Sequence, residues 1–187
     1  MVWNNGDDRI EVQTHGVGHN VGQHVSMNQM LDEAVLVDAD YFVRVDEDCF
    51  FETRDWLKKM LKLQQEHLKK YKRPCIMSPM VHGLRNPLRA ISSFKLGKHH
   101  MDAVDILGGI CRMAPMSLLR YWRFDQRLPM GFGDATSMGK FCRIHSIPQV
   151  RCLDIHVSHG ESTDAQESAA PEWAHEHMML QVIPYGL

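Results

Sequence analysis

The sequence predicts an α/β protein in which a mainly parallel sheet is flanked by helices. Two short apolar runs bounded by turn residues, at residues 41–45 and 75–77, have the length and composition of buried strands. Between them, residues 54–71 repeat apolar side chains at the spacing of an amphipathic helix. Strands that alternate with helices along a chain are typical of parallel sheets, because the helices serve as the crossover connections.

The first half of the chain alternates between strand and helix patterns. Residues 10–14 alternate apolar and polar side chains and predict a first strand. Residues 25–37 carry apolar side chains at helical spacing and predict the first helix. The longer helix predicted over residues 54–71 has Thr53 as its expected N-cap, and Pro74 ends the connection that follows it.

The second half is less regular. Residues 81–102 are basic and without clear periodicity, which predicts a loop. Residues 103–113 predict a strand, and residues 116–122 and 135–145 predict two short helices. Residues 150–157 predict the last strand of the sheet.

Composition narrows the classes of function. The 187 residues, 44% of them hydrophobic, suffice for one domain with a core. A formal net charge of -2 provides no basic field for nucleic acid, and no apolar run is long enough for a membrane span. The first six residues do not form a secretory signal. The five cysteines are widely spaced and include no C-x-x-C pair, which argues against a disulfide framework and predicts a cytoplasmic protein.

The triplet Asp46-Glu47-Asp48 follows the strand predicted at residues 41–45. Carboxylates one residue apart point to the same side of an extended chain, so Asp46 and Asp48 together suit a hard divalent cation. Such triplets are common, and the alternative interpretation is a solvated loop after a strand. The triplet is therefore a candidate metal site that needs support from other segments.

Several segments supply that support through a resemblance. Asn20-Val21-Gly22, the later Asn28, Asp38-Ala39-Asp40-Tyr41 and the triplet after the strand follow one another in order. In this order and spacing they resemble the nucleotide-sugar glycosyltransferases of the GT-A fold, particularly the large family 2. Further along, Gly131-Phe132-Gly133-Asp134 resembles the segment of that family whose acid is the catalytic base. The run 157–162, with His159, follows the last strand where some relatives carry a metal-binding histidine.

The chain also departs from the family pattern. Asn4 and Asn5 stand in place of the acids of an early turn that touches the nucleotide base, and Ala135 replaces the second acid of an acidic pair. The sequence begins after the first strand and helix of the family, so we expect an amino-terminally truncated GT-A domain.

The resemblance implies a metal-dependent, inverting transfer of a sugar from a UDP- or GDP-linked donor to an acceptor hydroxyl. It implies one domain over residues 1–187, with a nucleotide-binding part at 1–80, an acceptor and catalytic part at 81–170 and a tail at 171–187. On this interpretation Mn²⁺ or Mg²⁺ is bound by Asp48 and His159, while Asp46 contacts the ion, its bound water or the ribose. Asp134 is the base, and the residues expected beside the nucleotide are Asn4, Asn20, Gly22 and Asn28.

Alternatives remain open at this point. Asn20 and Gly22 also suit a simple tight turn, because both tolerate left-handed backbone angles. Asp134 also suits the N-cap of the helix that follows it. At the level of function, the alternatives are a truncated or inactive nucleotide-sugar-binding domain and a metal-dependent hydrolase using Asp46, Asp48 and histidines. The sequence does not specify the donor sugar, the acceptor or the oligomeric state.

Overall fold

The computed structural model describes residues 23–46, 49–83, 89–125 and 134–160. Its helices are α1 (Gln23–Leu36), α2 (Trp56–Tyr71), α3 (Met116–Leu119) and α4 (Asp134–Ile144). Its strands are β1 (Tyr41–Val45), β2 (Cys49–Phe51), β3 (Ile76–His82), β4 (Ala90–Leu96), β5 (His99–Val104), β6 (Cys111–Pro115) and β7 (Gln149–His159). The strand predicted at residues 10–14 and the tail predicted at 171–187 lie outside the described residues.

The seven strands form one sheet in the order β1-β6-β3-β7-β5-β4, and β2 pairs with the end of β7. Among the described strands, β3 and β7 pair in parallel and the other pairs are antiparallel. The α/β class is therefore confirmed, but the sheet is mixed and mostly antiparallel rather than mainly parallel. Because β1 and β3 both run against β6, the strands β1, β3 and β7 nevertheless point the same way.

The loop predicted over residues 81–102 is wrong, since much of it forms the hairpin of β4 and β5. Leu96 lies opposite His99, so only Gly97 and Lys98 make the turn. Gly97 has a φ of 57°, the left-handed conformation that two-residue hairpin turns require. The strand predicted over 103–113 is also divided, because β5 ends at Val104 and β6 begins at Cys111.

Helices cover both faces of the sheet. On the first face, α1, α3 and α4 pack on a cluster that includes Met27, Leu31, Ile76, Ala114, Leu119 and Met138. On the second face, α2 packs on a cluster that includes Met60, Leu63, Met77, Met101, Met113 and Ile155. Neighbours such as Ile76 and Met77 belong to opposite clusters, as the alternation of side chains along a strand requires.

Helix α2 begins differently from the sequence prediction. Its N-cap is Asp55, which has a φ of 55° and makes no capping hydrogen bond through its side chain. The hydroxyl of Thr53, the expected N-cap, instead accepts a hydrogen bond from the backbone N–H of His156 at 2.9 Å. Thr53 therefore connects the segment before α2 to β7 through this hydrogen bond.

All five cysteines are free thiols, and four of them are buried. Burial raises the pKa of Cys75 and of Cys142 to about 12, so both remain protonated near neutral pH. They behave as small apolar side chains of the core, which agrees with the absence of a disulfide framework predicted from their spacing.

A row of polar side chains crosses the first face of the sheet beneath the helices. Arg44 lies opposite Arg112, and Arg151 lies opposite Asp102, all of them less than 10% exposed. Arg151 donates a hydrogen bond to Asp102 at 2.6 Å, and the hydroxyl of Ser93 donates another at 2.7 Å. Burial alone would raise the pKa of Asp102, but these hydrogen bonds and the charge of Arg151 outweigh it and lower the pKa below its ordinary value.

Replacing Asp102 should strongly destabilise the fold. The variant Asp102→Asn leaves the buried charge of Arg151 without its carboxylate, and we expect the free energy of unfolding to fall by about 3–5 kcal/mol at neutral pH. Because the folded pKa of Asp102 lies below the unfolded one, the stabilisation is present above the unfolded pKa and is lost as pH falls through the folded pKa. The difference between wild type and variant, measured by urea unfolding, should therefore shrink on acidification.

Asp32→Asn provides the matched control, because Asp32 pairs with Arg123 at 2.6 Å but is 63% exposed. That exposed pair should contribute no more than about 1 kcal/mol. Equal losses in the two variants would show that burial does not govern the Asp102 pair.

Candidate functional site

The strands β1, β3 and β7 end at the same edge of the sheet, which we call the carboxyl edge. Asp46 directly follows β1, His82 is the last residue of β3, and His159 is the last residue of β7. In open sheets with parallel strands, ligands bind in the crevice beyond such ends. The carboxyl edge is therefore the candidate functional site.

Strand β2 brings the segment after β1 to the end of β7. The backbone N–H of Asp46 donates to the carbonyl of Ile110 at 2.8 Å, and the N–H of Cys49 donates to the carbonyl of Asp46 at 3.2 Å. Cys49 then lies opposite His159 in the β2–β7 ladder. The backbones of Asp46, Cys49 and His159 thus meet at one corner of the carboxyl edge. Because side chains alternate along β7, His159 leaves the sheet on the second face with Val157, whereas Asp46 lies on the first face.

The carboxylate of Asp46 is held by Arg44. The Nε and Nη2 atoms of Arg44 lie 3.1 and 2.8 Å from Oδ1 of Asp46, and both side chains leave β1 toward the first face. Arg44 is 7% exposed, whereas Asp46 is 31% exposed. The guanidinium offsets part of the negative charge of Asp46 and fixes its orientation, which suits a carboxylate that supports a neighbouring ligand or binds a hydroxyl.

The charge of Asp46 also acts on β6. Burial raises the pKa of Cys111, and the negative charges of Cys49 and Asp46 raise it further. The thiol of Cys49 contacts the carbonyl of Ile110 at 3.9 Å. The start of β6 therefore forms the wall of the corner between β1 and β2.

Asn28 has a structural role in this fold. Its Nδ2 donates to the carbonyl of Phe124 at 2.8 Å, and its Oδ1 accepts from the N–H of Phe124 at 2.8 Å. The side chain is 4% exposed. Asn28 thus anchors the segment that leads toward α4, and its predicted contact with a nucleotide stays a prediction.

Helix α4 begins at Asp134, whose side chain lies outside the described part. Met138 packs in the cluster of the first face, and Arg143 in the last turn pairs with Asp105 at 2.9 Å. Asp105 follows Val104, which lies opposite Gln149 at the start of β7. The end of α4 is therefore near the amino end of β7.

Other predicted site residues are not described. Asn4, Asn20, Gly22 and Asp48 lie outside the described ranges. Within those ranges, no three His, Cys, Asp or Glu side chains are grouped so that they could hold a metal ion. The predicted metal site therefore depends on Asp48 and stays a prediction.

A polar cluster beside the corner was not predicted from the sequence. Nε2 of His82 lies 2.9 Å from Nδ1 of His156, and the two rings stack at 5.2 Å between centroids. The hydroxyl of Ser158 donates to the carboxylate of Glu52. The alternation of His156 and Ser158 along one strand was a signal, but their partners could not be known without the strand register.

A glycine permits the close approach of β3 and β7 at the carboxyl edge. Gly83 follows β3 with a φ of 82°, and a Cβ atom there would lie 3.0 Å from the backbone oxygen of His159. Only glycine satisfies both conditions without a shift of the backbone. The position of His159 thus depends on Gly83.

A cavity of about 410 Å³ lies at the opposite edge of the sheet, between Asp40, Tyr41, Gln64, Pro115 and Arg120. Burial, with the nearby charge of Asp40, raises the pKa of Tyr41. Asn28, Asp46 and His159, which are predicted site residues within the described ranges, do not line this cavity.

No model of a known protein family matches the chain, and no curated protein sequence matches it. Among the described residues, none of the helices has the length and apolar character needed to cross a membrane. A function for this chain must therefore be argued from its own residues.

Removing the side-chain amide of Asn28 should test whether this residue has a structural role. We expect Asn28→Ala to lower the free energy of unfolding by about 2–4 kcal/mol, because two buried backbone groups of Phe124 lose their partner. Glu33→Ala in the same helix should change it by no more than about 0.5 kcal/mol. Urea unfolding measures both, and an unchanged midpoint in Asn28→Ala would contradict the structural role.

Substitution of Gly83 should lower the stability of the fold and displace His159 at the carboxyl edge. Gly83→Ala and Gly97→Ala each place a side chain in the left-handed region, at a cost of about 1–2 kcal/mol. At Gly97 the nearest atom is the flexible carboxylate of Glu66 at 3.2 Å, whereas at Gly83 it is backbone. We expect only Gly83→Ala to shift the amide NMR signals of His159. Similar shifts in both variants would mean that Gly83 does not position His159.

Proposed function

We propose that this chain is a metal-dependent, inverting glycosyltransferase domain of the GT-A type. In this proposal it moves a sugar from a UDP- or GDP-linked donor to an acceptor hydroxyl. The observation that carries it is the pairing of β2 with the end of β7, which places Cys49 opposite His159 three residues after Asp46. Asp46 and His159 belong to two of the segments that carry the resemblance, and they lie near one corner although they are far apart in the sequence. Residues 38–41 lie at the opposite edge, and Asn28 is bound to Phe124.

The sheet offers a second line of support. The donor site proposed here lies beyond the carboxyl ends of β1, β3 and β7, which point the same way although β6 runs between two of them. Ligands of α/β proteins bind beyond strand ends of this kind. The cavity between Asp40 and Arg120 lies at the other edge and has no part in the proposal.

The donor groups of the corner suit a small divalent cation. Asp48 and His159 would hold Mn²⁺ or Mg²⁺, with Asp46 contacting a metal-bound water or the ribose. Carboxylate oxygen and imidazole nitrogen together favour manganese over calcium. When bound, the ion supplies the positive charge that offsets the charge of a diphosphate leaving group. Arg44 fixes the orientation of Asp46 through the two contacts to Oδ1.

Asp134 is the proposed general base. Its carboxylate accepts the proton of the acceptor hydroxyl while that oxygen forms a bond to the anomeric carbon, on the side opposite the departing diphosphate. The configuration of the sugar is inverted as a result. The start of a helix carries partial positive charge and stabilises an ionised carboxylate there, so the base is ready before the acceptor binds.

The cysteines suit a reducing compartment, since all five are free thiols. We therefore propose a cytoplasmic location, where a UDP- or GDP-linked sugar would serve as donor.

Titration with UDP and GDP by calorimetry, with and without Mn²⁺, tests the proposal. We expect one nucleotide to bind only with the metal, and Asp48→Asn to abolish that binding. Asp46→Asn should weaken it by about 10- to 100-fold, as the loss of a group that orients a ligand does. Circular dichroism should show that both variants remain folded, although Asp46→Asn should unfold at a lower urea concentration because the buried Arg44 loses its contact with the carboxylate.

Asp38→Asn is the control, because Asp38 lies at the opposite edge and pairs with Arg120 at 2.5 Å. It should bind the nucleotide as the wild type does. Metal-independent binding, or equal loss in the control, would contradict the proposed site. Metal-dependent binding without release of sugar from any donor would favour the alternative of a nucleotide-sugar-binding domain.

A further inference from the structure

Five side chains gather on one face of the sheet at the end of β7. We call them the Phe50 cluster, and its members are Phe50, Glu52, His82, His156 and Ser158. Phe50 lies opposite Ser158 in the β2–β7 ladder, and His82 lies beside Ser158 in the β3–β7 ladder. The N–H of Glu52 donates to the carbonyl of His156 at 3.2 Å, so the next position of the ladder pairs these two residues.

Alternation along the strands places the whole cluster on the first face. Ile155 and Val157 are fully buried, and Ile155 belongs to the core of the second face. Phe51, opposite Val157, stacks on Trp56 with 3.9 Å between ring centroids. His156, Ser158 and Phe50 therefore face the other way, toward the side on which Arg44 and Asp46 lie.

Phe50 is the unusual member of the cluster. Its side chain is 68% exposed, whereas its neighbour Phe51 is packed. A single exposed aromatic side chain is ordinary on a protein surface. Here, however, polar side chains held by other contacts occupy the neighbouring ladder positions, and an apolar surface with a few fixed polar groups is the usual composition of a ligand site.

The polar groups are preorganised. Ser158 donates to Glu52, His82 and His156 share a hydrogen bond, and the hydroxyl of Thr53 accepts from the N–H of His156. The cluster supplies a carboxylate that only accepts hydrogen bonds, and a hydroxyl and imidazoles that donate and accept. Such groups match the hydroxyls of a carbohydrate, each of which donates one hydrogen bond and accepts others.

We propose that the Phe50 cluster binds the sugar ring of a carbohydrate acceptor. This inference rests on the proposed function, because it specifies the class of acceptor that would bind at the same edge of the sheet. The C–H face of the ring lies on Phe50, and its hydroxyls bind Glu52 and the histidine pair. Residues two apart in a strand are about 7 Å apart, so Phe50 and Glu52 can contact one sugar ring together.

Charge favours an acceptor over the donor at this cluster. The carboxylate of Glu52 is exposed and repels a diphosphate, whereas it attracts neutral hydroxyl groups. The donor site proposed above lies at the end of β1, beside the cationic Arg44. Donor and acceptor then occupy neighbouring parts of the carboxyl edge, as a transfer between them requires.

Saturation-transfer NMR tests the inference directly. The probes are glucose, galactose, mannose, N-acetylglucosamine and lactose, each added to the wild type without nucleotide. We expect at least one to receive saturation from the protein. Phe50→Ala should remove the signal, Phe50→Tyr should retain it because the ring remains, and Glu52→Gln should weaken it.

Ile91→Ala is the matched control, since Ile91 on β4 is 69% exposed, like Phe50. It should leave the signal unchanged. If none of the five sugars gives a signal that depends on Phe50, the inference is overturned. Weaker UDP or GDP binding in Phe50→Ala would also overturn it, because the ring would then stack on the nucleotide base.

The two proposals can fail separately. Metal-dependent nucleotide binding without Phe50-dependent sugar binding would support the donor site and reject this acceptor site. Sugar binding that depends on Phe50, in a protein that binds neither nucleotide, would support a carbohydrate-binding surface and reject the glycosyltransferase.

Discussion

The fold and its candidate site both depend on the hydrogen-bond ladders of β7. One side of this eleven-residue strand pairs with β3 along its length, and the other side pairs first with β5 and then with β2. The change of partner falls at a bulge, where Asp154 accepts a hydrogen bond from the N–H of His100 at 2.8 Å. Burial alone would raise the pKa of Asp154, but this hydrogen bond and the adjacent histidines lower it, so the carboxylate stays charged at the junction. That side chain satisfies a backbone donor at the point where β5 leaves the ladder.

The same change of partner creates the corner at the carboxyl edge. Because β5 occupies only the first part of β7, the last three residues of the strand remain available to β2. The chain that leaves β1 can therefore turn at Asp46 and pair with β7 directly. The short length of β2 keeps the turn close to His159, and Gly83 allows β3 to approach from the other side.

Local sequence patterns correctly predicted the helices and strands that have a strong periodicity of apolar side chains. The strand at residues 41–45 and the helices that became α1, α2 and α4 have strong periodicity, and the structure confirms them. The hairpin of β4 and β5 was missed because its basic side chains concealed the turn at Gly97. The antiparallel direction of β6 depends on pairing with distant strands, which no local pattern records. The approach of Asp46 to His159 could be expected only from the resemblance, and the Phe50 cluster could not be expected at all, since it depends on register.

The buried polar row explains why that register holds. Arg44 and Arg112 are cross-strand neighbours on the first face, and Arg151 lies on the same face two strands from Arg112, next to Ser78 of β3. A slip of one residue in any strand would turn its arginine toward the second face, where the methionines of β3 and β6 form an apolar core. The cost of burying an uncompensated charge there is several kcal/mol, far more than the gain from any alternative pairing. Since Asp46 and His156 occupy fixed positions relative to these arginines along β1 and β7, the row that fixes the strands also fixes both parts of the proposed site.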